Sequence, residues 1–323
     1  MLKLPHHWIW DFWFAQNGSD FHTFYLQAPR SLGDPDLRHW NVCIGHAVSH
    51  DLTNWQVLPD ALSPSPEGSD AWDDYTTWTG SIIQHQSLWY LFYTGTKRSE
   101  KGKIQRIGLA TSTDLIHWEK HPANPLIEAD PTWYEKYNFH NPTWGDEAWR
   151  DPWVFQDAVT GDFHMYMTAR VNKGDADARG VIGHAWSKDL LSWRALPPVT
   201  APGHFGQLEV PQLVQLQGRS VLLFSTAVTT HSAQWQLQTG LTPVSGTHFL
   251  AGQNPLGPFT LTTPRFMVGD RAGSLYAGKM IQNADGQWVF LAWRNVDETG
   301  QFLGELSDPH PVRLDPAGNP EVI

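Results

Sequence analysis

Three acids stand alone in strongly apolar surroundings. Asp11 sits in Trp8-Ile9-Trp10-Asp11-Phe12-Trp13-Phe14, Asp151 follows Trp149-Arg150, and Glu209 sits in Leu208-Glu209-Val210-Pro211. A carboxylate is costly to bury without a partner, so such acids are tolerated mainly where they are paired or do chemistry. Two or three carboxylates around one pocket are what glycosidic cleavage needs. One acid protonates the leaving oxygen, and another acts as nucleophile, or as the base for a water, against an oxocarbenium-like transition state. Crowding the negative charges raises one pKa and keeps the general acid protonated near neutral pH. Arg150, beside Asp151, is placed to hold a sugar hydroxyl or to keep that aspartate ionised.

Converging these acids requires a repeating scaffold, and the chain carries one. The pattern G-x-A-x-S-x-D-L-x-x-W occurs at Gly45–Trp55, Gly108–Trp118 and Gly183–Trp193, with its aspartates 63 and then 75 positions apart. Ser-x-Asp suits a turn, because short polar side chains cap their own backbone. A short apolar strand recurs five times, at Phe24-Tyr25-Leu26, Trp89–Tyr93, Met165-Tyr166-Met167, Val221–Phe224 and Trp288–Leu291. Asn254–Phe259 reads as a decayed copy of the turn. Many short strands, regular turns and 50 Gly plus Pro indicate an all-β chain. Sheets repeated radially make a β-propeller, here of five blades; two unrelated β-sandwiches would not explain one motif recurring along the whole chain. The expected organisation is a single catalytic domain over 1–323.

Each apolar strand serves as a ruler. Stepping back 14 residues from Tyr25 reaches Asp11, 15 from Tyr166 reaches Asp151, and 14 from Leu223 reaches Glu209. The same step reaches Thr77-Trp78-Thr79 in the second blade and Tyr276 in the fifth. The strand before each apolar strand is then the innermost one, and three acids from three blades converge on the axis with two aromatic-bearing positions.

Composition agrees with a sugar-handling enzyme and excludes other classes. Eighteen Trp, 15 Phe and 8 Tyr fill a core and leave some rings to stack on sugars. A net charge of −11 argues against a nucleic-acid or anionic-membrane surface, and no run of apolar residues is long enough for a membrane span. The N-terminus lacks a secretion-signal layout, which reads as cytoplasmic unless a signal has been removed. The single cysteine, Cys43, excludes an internal disulfide. No clustered histidine or cysteine spacing calls for a metal, and no cofactor is expected. Gly273–Lys279 fits G-x-x-x-x-G-K, but Met280 follows it, so it is discounted as a nucleotide site. The aromatic stretch between Asp130 and Glu147 is expected to fold over one face, where it either walls the pocket or packs across the junction of blades two and three.

The motifs resemble those of the family 32 glycoside hydrolases, the invertases and fructanases. Gly45–Leu52, Trp55 and Leu58–Leu62 are similar to that family's W-G-H-A-x-S-x-D-L-x-x-W-x-x-L-P-x-A-L stretch. Trp78-Thr79-Gly80-Ser81 resembles its W/F-S-G-S, Trp149–Pro152 its F-R-D-P, Glu209-Val210-Pro211 its E-C-P, and Tyr25-Leu26-Gln27 the end of its Y-H-L-F-Y-Q strand. The resemblance implies the same five-bladed propeller. It makes Asp11 the nucleophile, Glu209 the general acid/base and Asp151 the transition-state stabiliser, with retention of configuration. Trp10, Gln27, Trp78, Arg150 and Tyr276 would bind substrate. The chain departs from the family at the Asp11 motif, where W-M-N-D-P-N-G becomes Trp8–Phe14, and at Val210 and Gln212, which stand for Cys and Asp. The expected fold is the propeller without the family's C-terminal β-sandwich. The implied substrate is an oligosaccharide or glycoside ending in a furanose, foremost β-fructofuranose. An inverting arabinofuranosidase or xylosidase of the related family 43, a transferase and a non-catalytic sugar-binding propeller are the alternatives. Oligomeric state is not legible.

Overall fold

The computed structural model describes residues 1–323. Five antiparallel sheets follow one another in chain order. Blade one holds β1 (His7–Asn17), β2 (Asp20–Pro29), β3 (Cys43–Ser49) and β4 (Gln56–Leu62). Blade two holds β5 (Thr76–His85), β6 (Leu88–Thr96), β7 (Gln105–Ser112) and β8 (Glu119–Lys120). Blade three holds β9 (Trp149–Gln156), β10 (Phe163–Arg170), β11 (Gly180–Ser187) and β12 (Trp193–Leu196). Blade four holds β13 (Glu209–Leu216), β14 (Arg219–Thr226), β15 (Ser245–Gly252) and β16 (Val268–Asp270). Blade five holds β17 (Leu275–Gln282), β18 (Trp288–Val296), β19 (Phe302–Leu306), β20 (His310–Leu314) and β21 (Pro320–Val322).

The first strands β1, β5, β9, β13 and β17 touch in succession and close a ring around the axis. The five apolar rulers are the second strands of the five blades, each paired with its first strand. This is the five-bladed propeller that the repeat predicts. The N-terminal segment closes it. Leu2 exchanges backbone hydrogen bonds with Leu306 of β19, at 3.2 and 2.9 Å, so residues from the two ends of the chain share the last blade. The one α-helix, Ala233–Thr239, is 7 residues long. No helix is long and apolar enough to cross a membrane.

The repeated turn joins the third and fourth strands of the first three blades. In each copy the serine hydroxyl sits against the aspartate, and the aspartate's Oδ1 accepts two backbone N–H groups of the same turn. The leucine that follows is left-handed, at φ 63, 66 and 65° for Leu52, Leu115 and Leu190. That conformation costs a branched residue about 1–3 kcal/mol. It is offset because all three leucines are fully buried between blades and the turn's polar groups are satisfied. Asn254 accepts the Leu256 N–H in the same way, as a degraded copy should.

Buried histidine pairs recur at matched places. His22 and His46 meet at 2.8 Å in blade one, and His164 and His184 at 2.9 Å in blade three. Burial, helped by the neighbouring histidines, pushes His46, His184 and His248 down to about 3. Their folded values lie below the unfolded value near 6.5. The stability they contribute is therefore complete above about pH 6.5 and lost as the pH falls from there towards 3. Asp11 and Asp151, discussed below, and Glu147 titrate with the opposite sign, but burial pushes His22, His39, His164, His204 and His231 down as well, so the histidines outnumber them. Thermal melts across this window are expected to show Tm falling steadily below about pH 6.5; a flat profile contradicts this account.

Candidate active site

All five innermost strands carry a β-bulge at the same phase. The registers shift between Trp10 and Phe12, Trp78 and Gly80, Arg150 and Trp153, Glu209 and Gln212, and Tyr276 and Lys279. A bulge places an extra residue on one strand and re-aims the side chains beside it. Four bulges hold a non-glycine residue at positive φ: Asp11 at 25°, Asp151 at 57°, Val210 at 51° and Ala277 at 50°. Gly278 completes the fifth bulge, because a Cβ there would fall 2.2 Å from the Phe290 ring. The glycine of the discounted G-x-x-x-x-G-K stretch thus serves close packing.

The bulges generate two rings of side chains. Trp10, Trp78, Arg150, Glu209 and Tyr276 precede the bulge in their blades, and Asp11, Thr79, Asp151, Val210 and Ala277 occupy it. Asp11 and Asp151 are thus equivalent, whereas Glu209 stands one residue earlier, in register with Tyr276. The strand count placed all three acids at one phase because its rulers are not equivalent: Tyr25 pairs with Phe12 directly after the bulge, whereas Leu223 pairs with Gln212, one residue further on.

Nine of these ten residues, all but Ala277, line one cavity of about 410 Å³, within the range of small-molecule sites. Asp11 Oδ2 accepts from Thr79 Oγ1 at 2.8 Å. Burial, followed by the charge of Asp151, pushes Asp11 up to about 7. Asp151 is nearly sealed, and its Oδ2 accepts from Thr168 Oγ1 at 2.7 Å and from the Val210 N–H at 3.2 Å. Burial raises its pKa against the pull of Arg150. Glu209 is held at both oxygens, with Arg150 Nη2 on Oε1 at 2.7 Å and Tyr276 Oη on Oε2 at 2.6 Å. Burial and the Glu209 charge push the Tyr276 phenol well above its ordinary value, so it remains a donor. Arg150 also bonds Gln105, Asp146 and Gln207. The arginine is therefore fixed by several acceptors as well as by Glu209.

Every expected site residue but one reaches this cavity. Gln27 does not: it is 5% exposed, and its Nε2 donates to Asp60 Oδ1 at 2.7 Å. Strand alternation turns Leu26 into the cavity wall and Gln27 away from it. The aromatic insertion divides its work. Asp146 lines the cavity and Trp144 walls an adjoining cleft with Trp40 and Trp78, whereas Tyr134 is fully buried and bonds the Leu196 carbonyl at 2.6 Å. Arg38, His39, Gln105 and Asn295 also line the cavity and were not foreseen. Arg38 stacks on Phe302 at 4.4 Å, and its Nε is buried without a partner in the cavity wall. Arg38 and His39 come from a 3₁₀ turn, Pro35–Trp40, that belongs to no blade repeat, so no periodic signal marks them.

The departures from the family pattern have visible uses. Phe12 and Trp13 are buried in the blade, and Phe14 stacks on Trp55 at 6.4 Å. Gln212 exchanges two hydrogen bonds of 2.7 Å with the Met280 backbone and so stitches blade four to blade five.

Residues 11–307 match the family model for the glycosyl hydrolases family 32 N-terminal domain. Sucrose-6-phosphate hydrolase of Bacillus subtilis is 26% identical over 300 residues, covering 90% of this chain and 55% of that protein. A probable sucrose-6-phosphate hydrolase of Psychromonas ingrahamii is 26% identical, covering 88% of this chain and 47% of that protein. The chain thus spans about half the length of the curated relatives it matches. Among solved structures, inulosucrase from Halalkalicoccus jeotgali bound to kestose superposes with a TM-score of 0.77 at 20% identity, covering 99% of this chain and 87% of that one. The last shows a shared fold. The match across residues 11–307, which takes in Asp11, Asp151 and Glu209, means that the chain belongs to glycoside hydrolase family 32 through its N-terminal domain.

Proposed function

We propose that this protein is a glycoside hydrolase that releases a terminal β-fructofuranosyl residue from a small oligosaccharide, with retention of configuration. The observation that carries the reading is the convergence of Asp11, Asp151 and Glu209 from three blades into one cavity. Residues 1–323 act as one catalytic domain in this reading.

An Asp11 oxygen attacks the anomeric carbon as the glycosidic carbon–oxygen bond breaks, and Glu209 gives its proton to the leaving oxygen. Asp11 is then esterified to the sugar. Water attacks the same carbon, gives a proton to Glu209 and releases Asp11. Asp151, locked by Thr168 and the Val210 N–H, holds sugar hydroxyls while positive charge develops on the ring. Arg150 keeps Glu209 aimed into the cavity, and Tyr276 does so from the other side. Trp10 and Trp78 form walls for the sugar.

The test is sugar release from sucrose, sucrose 6-phosphate, short fructans and nitrophenyl arabinofuranoside and xyloside, with the anomer of the first product read by NMR. Fructose released first as the β-anomer supports the reading. Arabinose or xylose release, or an inverted product, overturns it.

A further inference from the structure

The opposite mouth of the axial channel holds a second cavity of about 340 Å³, and Lys279 lies between the two ends. Lys279 follows the blade-five bulge directly, and it is only 3% exposed. Its Nζ donates to the Val210 carbonyl at 2.7 Å and to the Pro211 carbonyl at 3.0 Å. The ammonium also lies 5.7 Å from the centre of the Trp153 ring, so strands from blades three, four and five surround it. Val210 and Pro211 are the bulge residues of blade four. The same bulge presents Glu209 on one side and gives the Val210 N–H to Asp151.

A buried lysine is expensive unless its charge is used. Burial pushes Lys279 down to about 7, against the pull of Asp151 and Asp11, and Lys279 in turn draws Asp11 downward. The other charged or titratable groups lining the cavity with Asp11 are Asp151 and Arg150 from blade three, Asp146 from the connection before it, Glu209 from blade four, Tyr276 from blade five, and Arg38 and His39 from the Pro35–Trp40 turn. Among them the arginines already have partners in Glu209, Asp146 and Asp36. Lys279 has no carboxylate within hydrogen-bonding reach; its protons go to main-chain carbonyls of the bulge.

We propose that Lys279 is a positioning residue: its ammonium, sealed on the axis beneath the carboxylates, anchors the bulge that presents Glu209 and Val210 and sets a positive charge under Asp11 and Asp151. The proposal rests on the glycosidase reading for its kinetic consequences. Two variants separate the anchor from the charge. Lys279→Gln keeps amide donors for the two carbonyls and removes the charge, whereas Lys279→Met removes both.

With the charge gone, the aspartates ionise less readily, so the acid limb of kcat/KM should move up by about one pH unit in both variants. That is roughly a tenfold loss on the acid side. Lys279→Met should also lose about 10²-fold in kcat at the pH optimum, as misplaced catalytic groups do, with KM nearly unchanged. Lys279→Gln should keep most of that kcat. Unmoved acid limbs in both variants, with Tm intact, overturn the proposal. If the unaltered protein releases no sugar from any furanoside, the glycosidase reading fails while Lys279 is still tested. Tm is then measured at pH 7, where Asp11 and Lys279 both carry charge, for Asp11→Asn, Lys279→Gln and the pair. A smaller effect of Lys279→Gln in the Asp11→Asn background supports the charge coupling, and additive effects reject it.

Discussion

Asp11→Asn should lower kcat/KM on the cognate furanoside by roughly 10⁴-fold or more, the scale seen when a nucleophile is removed. The amide cannot form the ester, yet it keeps the volume of the carboxylate and can still accept from Thr79 Oγ1. Substrate binding should therefore survive, and calorimetric titration of the inactive variant should give a dissociation constant close to the KM of the parent. Stability should move the other way from activity. The folded pKa of Asp11 is near 7, pushed up by burial and then by Asp151, while the unfolded value is near 3.8. A raised folded pKa means that its contribution is present below the unfolded value and lost as the pH rises through the folded one. The asparagine does not titrate, so the Tm of the variant relative to the parent should improve between about pH 5 and pH 8. A variant that retains a tenth of the parent's rate would remove Asp11 from the role of nucleophile.

How far the site was legible follows from what repeats. The apolar second strand occurs once per blade and the Ser-x-Asp turn in the first three, so together they locate the first strand of every blade, and with it Asp11, Asp151, Glu209, Trp78 and Tyr276. The bulge was not legible. The count of 15 in blade three against 14 in blades one and four reflects the longer hairpin between Gln156 and Phe163, whereas the bulge is one extra residue common to all five blades and leaves no difference to count. Its consequence is physical. Glu209 stands one position ahead of the two aspartates, in the ring of Arg150 and Tyr276, and so is gripped by both. Gln27 failed for the complementary reason. A motif match assigns residues in a row, but adjacent strand residues face opposite ways, and Gln27 faces Asp60. Arg38, His39 and Asp146 come from connections that no blade repeats. Lys279 was visible only as part of a nucleotide-like pattern whose glycine and lysine prove to serve a bulge and its anchor.

Glu209→Gln should be the more informative of the large losses, because its size should depend on the leaving group. The glutamine can turn its carbonyl towards Arg150 Nη2 and its amide towards Tyr276 Oη, which then accepts, so the geometry of the pair is kept. What disappears is the proton for the leaving oxygen. An unactivated sugar alkoxide needs that proton, and its release should slow by about 10²- to 10⁴-fold. A nitrophenolate leaves without help, so the first step on a nitrophenyl furanoside should remain fast. The second step then lacks its base, and the ester on Asp11 should accumulate. The expected record is a burst of nitrophenolate followed by a slow steady state. Azide, which attacks without losing a proton, should speed that steady state and yield a glycosyl azide of retained configuration. Equal losses on both leaving groups, with no burst, would move the acid/base role away from Glu209. Tyr276 would then be the remaining donor nearby, already pointing at the same oxygen, and Tyr276→Phe on sucrose against the nitrophenyl substrate would decide between them. The contrast between the two steps separates proton transfer from mere damage to the pocket, since a distorted cavity would slow both leaving groups alike.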